Sequence, residues 1–125
     1  MAAYGAALLR LILGIVYVMH AYLALVINGP AGMIAYNVKA GIPLPEIATW
    51  YLILAHGLGG IFLVLGIFTR WAALANVPAM LGALFFVHLK NGFWSHQNGY
   101  EYVLVLLVAS VAVAMIGGGA LALKR

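Results

Sequence analysis

A chain of 125 residues that is 67% hydrophobic and only 6% charged is excluded from the soluble class, where about a quarter of residues carry charge. Its net charge of +4 comes from six cations scattered along the sequence, which excludes a basic nucleic-acid face and suits contact with anionic lipid. Cysteine is absent, so disulfides, thiolate metal ligands and thiol nucleophiles are excluded too.

At about 20 apolar residues per crossing, residues 1–125 suit one integral membrane domain of four passes. The first apolar run covers 6–27 and ends at Asn28-Gly29-Pro30, which cannot continue a helix. It is long enough to span, and no small-residue cleavage site follows it. The run therefore reads as a retained helix, not a signal peptide. A mixed segment, 31–40, is a candidate short interfacial helix with Lys39 reaching water. Gly41-Ile42-Pro43-Leu44-Pro45 then punctuates the chain. The second run is 46–68, with Pro45 just ahead of it and Glu46 in the first turn, where the helix dipole favours an anion.

Thr69 is the expected N-cap of the third run, 70–89. Pro78 should kink that helix, a feature that lipid-embedded bundles tolerate. A polar loop follows, in which His96 is expected to be solvated. The fourth run covers 99–116, and Gly117-Gly118-Gly119 is expected to loosen the tail. The expected fold is all-α, a four-helix transmembrane bundle. Arg10, Arg70, Lys124 and Arg125 would share one side, against Lys39 and Lys90 on the other, so both termini are expected to be cytoplasmic. Ala55 with Gly59 and Ala79 with Ala83 have the spacing that lets helix backbones approach.

Each run carries one ionisable residue away from the expected cytoplasmic side: His20, His56, His88 and Glu101. Such groups are costly in lipid and by default face the bundle. At 1.5 Å per residue, His88 and Glu101 fall near the outer boundary, His20 roughly 10 Å below it and His56 roughly 15 Å below it. The four would form a descending polar column if the helices turn them inward. Local roles are open to each of them. Asn98 and Glu101 have the spacing of a capping box, His88 suits a headgroup-facing position, and His20 or His56 could be satisfied by a backbone carbonyl. Trp50, Tyr51, Trp71, Trp94 and Tyr100 suit interfacial aromatic belts.

Several motifs run in order along the chain. They are Leu9-Arg10 with Gly14 and His20, Gly41-Ile42-Pro43, Gly59-Gly60, Leu65-Gly66-Ile67-Phe68-Thr69-Arg70, His88-Leu89-Lys90-Asn91-Gly92-Phe93, and Gly99-Tyr100-Glu101-Tyr102. With them the chain resembles the DoxX/DoxD family of small four-helix bacterial and archaeal membrane proteins. The resemblance implies residence in the cytoplasmic membrane and association with other membrane or peripheral redox subunits. The family takes its name from subunits linked to a terminal quinol oxidase and to thiosulfate:quinone oxidoreductase. Members often follow the first-helix histidine with glycine and lysine, and carry an acid just before Gly-Gly. Here His20-Ala21-Tyr22 and Ala55-His56-Gly57-Leu58-Gly59-Gly60 remove that charged pair and add a histidine.

Three functional readings follow. In the first, the chain is a quinone-linked subunit of a redox complex. His20, His56, His88, Glu101, Tyr100 and Tyr102 then supply hydrogen bonds and a proton path, since histidine exchanges protons near neutral pH. In the second, His20, His56 and His88 ligate haem iron, copper or zinc as neutral imidazoles. In the third, the chain is a structural or assembly subunit, and these groups are packing and partner contacts.

Overall fold

The structure is a computed structural model that describes residues 1–124. Arg125, expected among the cytoplasmic cations, lies outside the described residues. The described chain is helical, with five α-helices in the order α1 (Ala2–Tyr22), α2 (Gly29–Ala40), α3 (Pro45–Leu65), α4 (Thr69–Ala83) and α5 (Glu101–Ile116). Two of them are extended by a single widened π turn, Leu23–Ile27 after α1 and Leu84–His88 after α4. A short tight turn, Leu89–Asn91, completes the second extension. With their extensions, three segments are long and apolar enough to cross a bilayer: Ala2–Ile27, Pro45–Leu65 and Thr69–Asn91. The apolar helix α5 has 16 residues and is about 24 Å long.

The helices start and stop where the backbone chemistry requires. Pro30 and Pro45 sit at the first helical positions of α2 and α3, where the missing N–H has no helical partner to lose. Gly41 and Gly66 close the same two helices in the left-handed conformation, at φ +81° and +74°. The mixed segment expected at 31–40 is helical from Gly29, and it lies along α3.

The closest helix pair is α1 and α3. A methyl group on Gly14 would come within 2.8 Å of the Gly60 carbonyl oxygen, and one on Gly60 within 3.0 Å of the Gly14 carbonyl oxygen. The two backbones touch because neither residue has a side chain. Gly59 does the same work toward α4, leaving room for the Asn76 side chain. Leu13, Tyr17, Leu63, Ala73, Met80, Val103, Leu106 and Val113 fill the core. Leu8, Ile12, Ile15, Leu54, Leu58, Val105 and Val108 point outward and are exposed, the pattern of a protein whose solvent is lipid.

Four expectations at the ends of the helices are corrected. Arg10, expected as a lipid-facing topology cation, is 4% exposed. Its guanidinium donates to the carbonyls of Leu63, Val64, Gly118 and Ala120 at 2.9–3.1 Å. The glycine tail is therefore docked, not loose. Its backbone also bonds to Ala3, Leu65 and Gly66, and the Lys124 carbonyl accepts from the Phe68 N–H. Thr69 does not cap α4. Phe68 takes that position at φ +45°, and the buried Thr69 hydroxyl has no partner among the described residues. Asn98 and Glu101 form no capping box either. The Asn98 N–H is taken by Ser95 and the Glu101 N–H by Phe93, and Tyr100 is the residue that precedes α5. Arg70, by contrast, is exposed and donates to the Ala114 and Met115 carbonyls, closing the end of α5.

Candidate functional site

At the end opposite the tail, the helices part around an open cavity of about 1240 Å³. Its walls are α2, the first half of α3, the second half of α4 and the start of α5, and both π turns border it. Such turns are frequent at functional sites. Most of the wall is apolar, with a few polar groups at chosen places. Concave, mainly apolar sites with a few placed polar groups are the usual form of small-molecule pockets.

The deepest polar group is His56, 3% exposed. Its Nδ1 lies 2.6 Å from Asn76 Oδ1, and Asn76 Nδ2 donates to the Ala72 carbonyl at 3.1 Å. A carbonyl only accepts, so the Asn76 amine must face Ala72 and its oxygen must face His56. His56 Nδ1 therefore donates, and in the neutral ring Nε2 is an acceptor. Nε2 has no protein partner among the described residues, and the ring forms part of the cavity wall. The orientation of this histidine is thus held from α4 by a neutral amide.

Tyr17 backs the same imidazole, with ring centroids 4.6 Å apart. It is fully buried, and its hydroxyl lies 2.5 Å from Ser110 Oγ. Ser110 donates to the Leu106 carbonyl at 2.8 Å, so the Tyr17 hydroxyl donates to Ser110. The aromatic run continues from His56 to His20 at 6.4 Å and from His20 to Tyr102 at 6.0 Å. Tyr17, His56, His20 and Tyr102 thereby connect the core to the mouth of the cavity.

A second fixed polar pair stands higher on the wall. Thr49 Oγ1 donates to the Pro45 carbonyl at 2.7 Å and accepts from Asn37 Nδ2 at 2.8 Å. Both residues are buried, and Asn37 borders the cavity.

The structure thus brings His20, His56 and Tyr102 together, with His88 on the same cavity wall. His88 Nδ1 donates to the Asn98 carbonyl at 2.9 Å, which Asn91 also reaches. Asn98 therefore pins the mouth through its backbone oxygen. Glu101 and Tyr100 stand outside the wall, and the Tyr100 ring packs on Phe93 at 5.5 Å. Among the described residues, no group of three His, Asp or Glu side chains is placed to hold a metal ion. His20, His56 and His88 do not converge as a metal triad.

Sequence reasoning missed Tyr17, Asn37, Thr49, Asn76 and Ser110. The available signal was a neutral polar group inside an apolar run, as in Asn76 and Ser110. Tyr17 also stands three residues before His20, on the same helical face.

The fold and the cavity define a small polytopic membrane protein in contact with lipid, with a mainly apolar pocket at one end that carries a few polar groups. A model of the DoxX family matches residues 5–89, and the chain belongs to that family. The match stops ahead of α5, so the Gly99–Tyr102 motif lies beyond it. An uncharacterized protein of Haemophilus influenzae (strain ATCC 51907 / DSM 11121 / KW20 / Rd) is 32% identical over 98% of this chain and 90% of its own length. A Bacillus subtilis (strain 168) protein named "Putative oxidoreductase CatD" is 29% identical over 95% of this chain and 84% of its own length. No solved structure matches the chain significantly.

Proposed function

We propose that the chain is a quinone-binding subunit of a membrane redox complex, with α1, α3, α4 and α5 as four spans. The observation that carries this reading is the half-spent hydrogen-bonding capacity of His56, held at Nδ1 by Asn76 and open at Nε2 toward an apolar cavity. A quinone supplies two-electron, two-proton chemistry when bound. His56 Nε2 would accept from one ring hydroxyl of the reduced form, Tyr17 would hold the imidazole plane, and the apolar wall would cover the ring face and exclude water. His20 and Tyr102 continue the polar path toward His88 and the mouth, and that path suits proton passage. Electron transfer would fall to a partner subunit that brings its own carrier. The oxidoreductase name of the B. subtilis relative supports a redox setting.

The charge pattern supports an orientation. Arg10, Arg70 and Lys124 cluster at the tail end through their contacts with Gly118, Met115 and the Gly66 turn. Lys39 and Lys90 belong to the cavity end and are exposed. The excess of cations favours the tail end, and so both termini, on the cytoplasmic side of a bacterial or archaeal cytoplasmic membrane. The cavity would then open in the outer half.

Quinone extraction from gently purified protein tests the site. The wild-type protein is expected to carry quinone, and His56→Leu to insert normally without it. Full occupancy in His56→Leu would make this residue a packing group. A cysteine replacing Gln97 is expected to react with an impermeant reagent from outside. Reaction only after membrane rupture would invert the topology.

A further inference from the structure

A second cavity, of about 660 Å³, lies at the tail end, between the start of α1, the start of α4 and the glycine tail. Three features of its wall have hydrogen-bonding capacity that the protein leaves unused. The first is the opening turn of α4. The Phe68 N–H is taken by the Lys124 carbonyl and the Ala72 N–H by the Phe68 carbonyl. The N–H groups of Thr69, Arg70 and Trp71 have no partner among the described residues, as the start of a helix requires unless something caps it. The second is the Thr69 hydroxyl. Thr69 is 3% exposed, and its Oγ1 has no partner among the described residues. It is turned toward Gly118 on the same wall, where a methyl group would stand 2.9 Å from it. The third is one edge of the Arg70 guanidinium. Nη1 is spent on the Ala114 and Met115 carbonyls. Nε and Nη2 have no partner among the described residues, and both flank Gly117, each 3.2 Å from where a side chain on it would begin.

Each of these groups can donate, and together they suit an anion. The start of a helix carries partial positive charge and free N–H groups, a combination that binds phosphate. The Nε and Nη2 edge of an arginine grips two oxygens of one anion side by side. No acidic side chain answers them, because the two acidic residues of the chain, Glu46 and Glu101, open α3 and α5 at the cavity end. A phosphate group carries several strong acceptor oxygens on one centre and can meet a helix start, a hydroxyl and a guanidinium from different sides. The depth also fits. The apolar span built on α4 begins at Thr69, and Trp71 beside it is exposed, as interfacial tryptophans are at the level of lipid headgroups.

We propose that this second cavity is a phosphate-binding site, formed by the opening N–H groups of α4, the Thr69 hydroxyl and the Nε and Nη2 edge of Arg70. A phospholipid headgroup and free inorganic phosphate share that chemistry, and the depth of the site favours the headgroup. The bound group completes the start of α4 and ties it, through Arg70, to the end of α5. It is a resident part of the tail end.

The test is native mass spectrometry with a thermal melt on the full chain, stripped of lipid in detergent. The probes are dioleoyl-phosphatidylglycerol, dioleoylglycerol, which has the same tails and no phosphate, and inorganic phosphate set against chloride at equal ionic strength. Phosphatidylglycerol is expected to bind as one copy and to raise the melt, and dioleoylglycerol to do neither. Arg70→Gln is expected to weaken that binding about tenfold or more, as for a lost charge-assisted pair. Thr69→Val should weaken it about three- to tenfold. In the stripped protein the same variant should melt no lower than wild type, since it removes a hydroxyl without a partner, and this separates ligand loss from damage to the fold. A rise with inorganic phosphate that Arg70→Gln and Thr69→Val both reduce supports the site and makes free phosphate a source. Equal binding of dioleoylglycerol, or no binding of either phosphate probe, overturns the proposal. So does binding that Thr69→Val leaves at wild-type strength, which would reduce the site to a surface charge contact at Arg70.

Discussion

The two ends of the bundle handle buried polar groups in opposite ways. At the tail end, Arg10 is surrounded by four backbone carbonyls, two from the end of α3 and two from the tail. Its partners are all protein, and the tail backbone covers them. At the cavity end, His56 and Asn37 are just as buried, yet each uses only part of its capacity on protein. A fully satisfied buried network fixes a structure, whereas a partly satisfied one is costly unless something completes it. The tail end therefore reads as architecture and the cavity end as a receptor.

The comparison can be broken most forcefully at Arg10. Arg10→Leu strands four carbonyls and should cost about 3–5 kcal/mol. A thermal melt in detergent should fall steeply, and protease should then reach the Gly118–Ala120 tail. A melt within a few degrees of wild type would show that the tail end is not the structural anchor. Gly60→Val should come next. It forces a branched side chain against the Gly14 carbonyl and Val18, an overpacking of about 1–3 kcal/mol, and the same melt reads it.

Asn76→Leu is smaller in stability and larger in function. It removes the acceptor for His56 Nδ1 and leaves a buried donor unmatched, at about 1–3 kcal/mol. It also frees the imidazole to change tautomer, so quinone occupancy should fall further than the melt does. If occupancy and melt fall in proportion, Asn76 belongs with the tail end as architecture. Glu101→Gln should do least. The carboxylate has no hydrogen bond or ion pair among the described residues and stands off the cavity wall, so stability should move by less than about 0.5 kcal/mol. A loss of occupancy in this variant would return Glu101 to the polar path.

The spans and the histidines could be read before the fold was known, and the missing parts have physical causes. Apolar runs mark the spans because lipid leaves a helix little other choice. His20 and His56 stand out because ionisable side chains are rare in such runs. Asn76 and Ser110 do not stand out in that way, since a neutral amide or hydroxyl carries no charge to flag it. Their meaning comes from helix rotation, which a uniformly apolar sequence does not encode. The burial of Arg10 was not legible because charge counting treats every cation as solvated. Only the returning tail shows that two of its four carbonyl partners lie more than a hundred residues away. The expected capping box at Asn98 fails for a related reason, because the preceding loop already supplies carbonyls to the N–H groups that a cap would serve.

The docked tail also bears on how the protein is made. Arg10 leaves the ribosome early, while Gly118 and Ala120 follow more than a hundred residues later, since chains are synthesised from the N-terminus. During most of biogenesis the guanidinium has only the end of α3, or lipid phosphate, to hold it. Closure of the bundle at that end therefore waits for residues 118–120, and a change that intercepts them should trap a bundle that is inserted but unlocked.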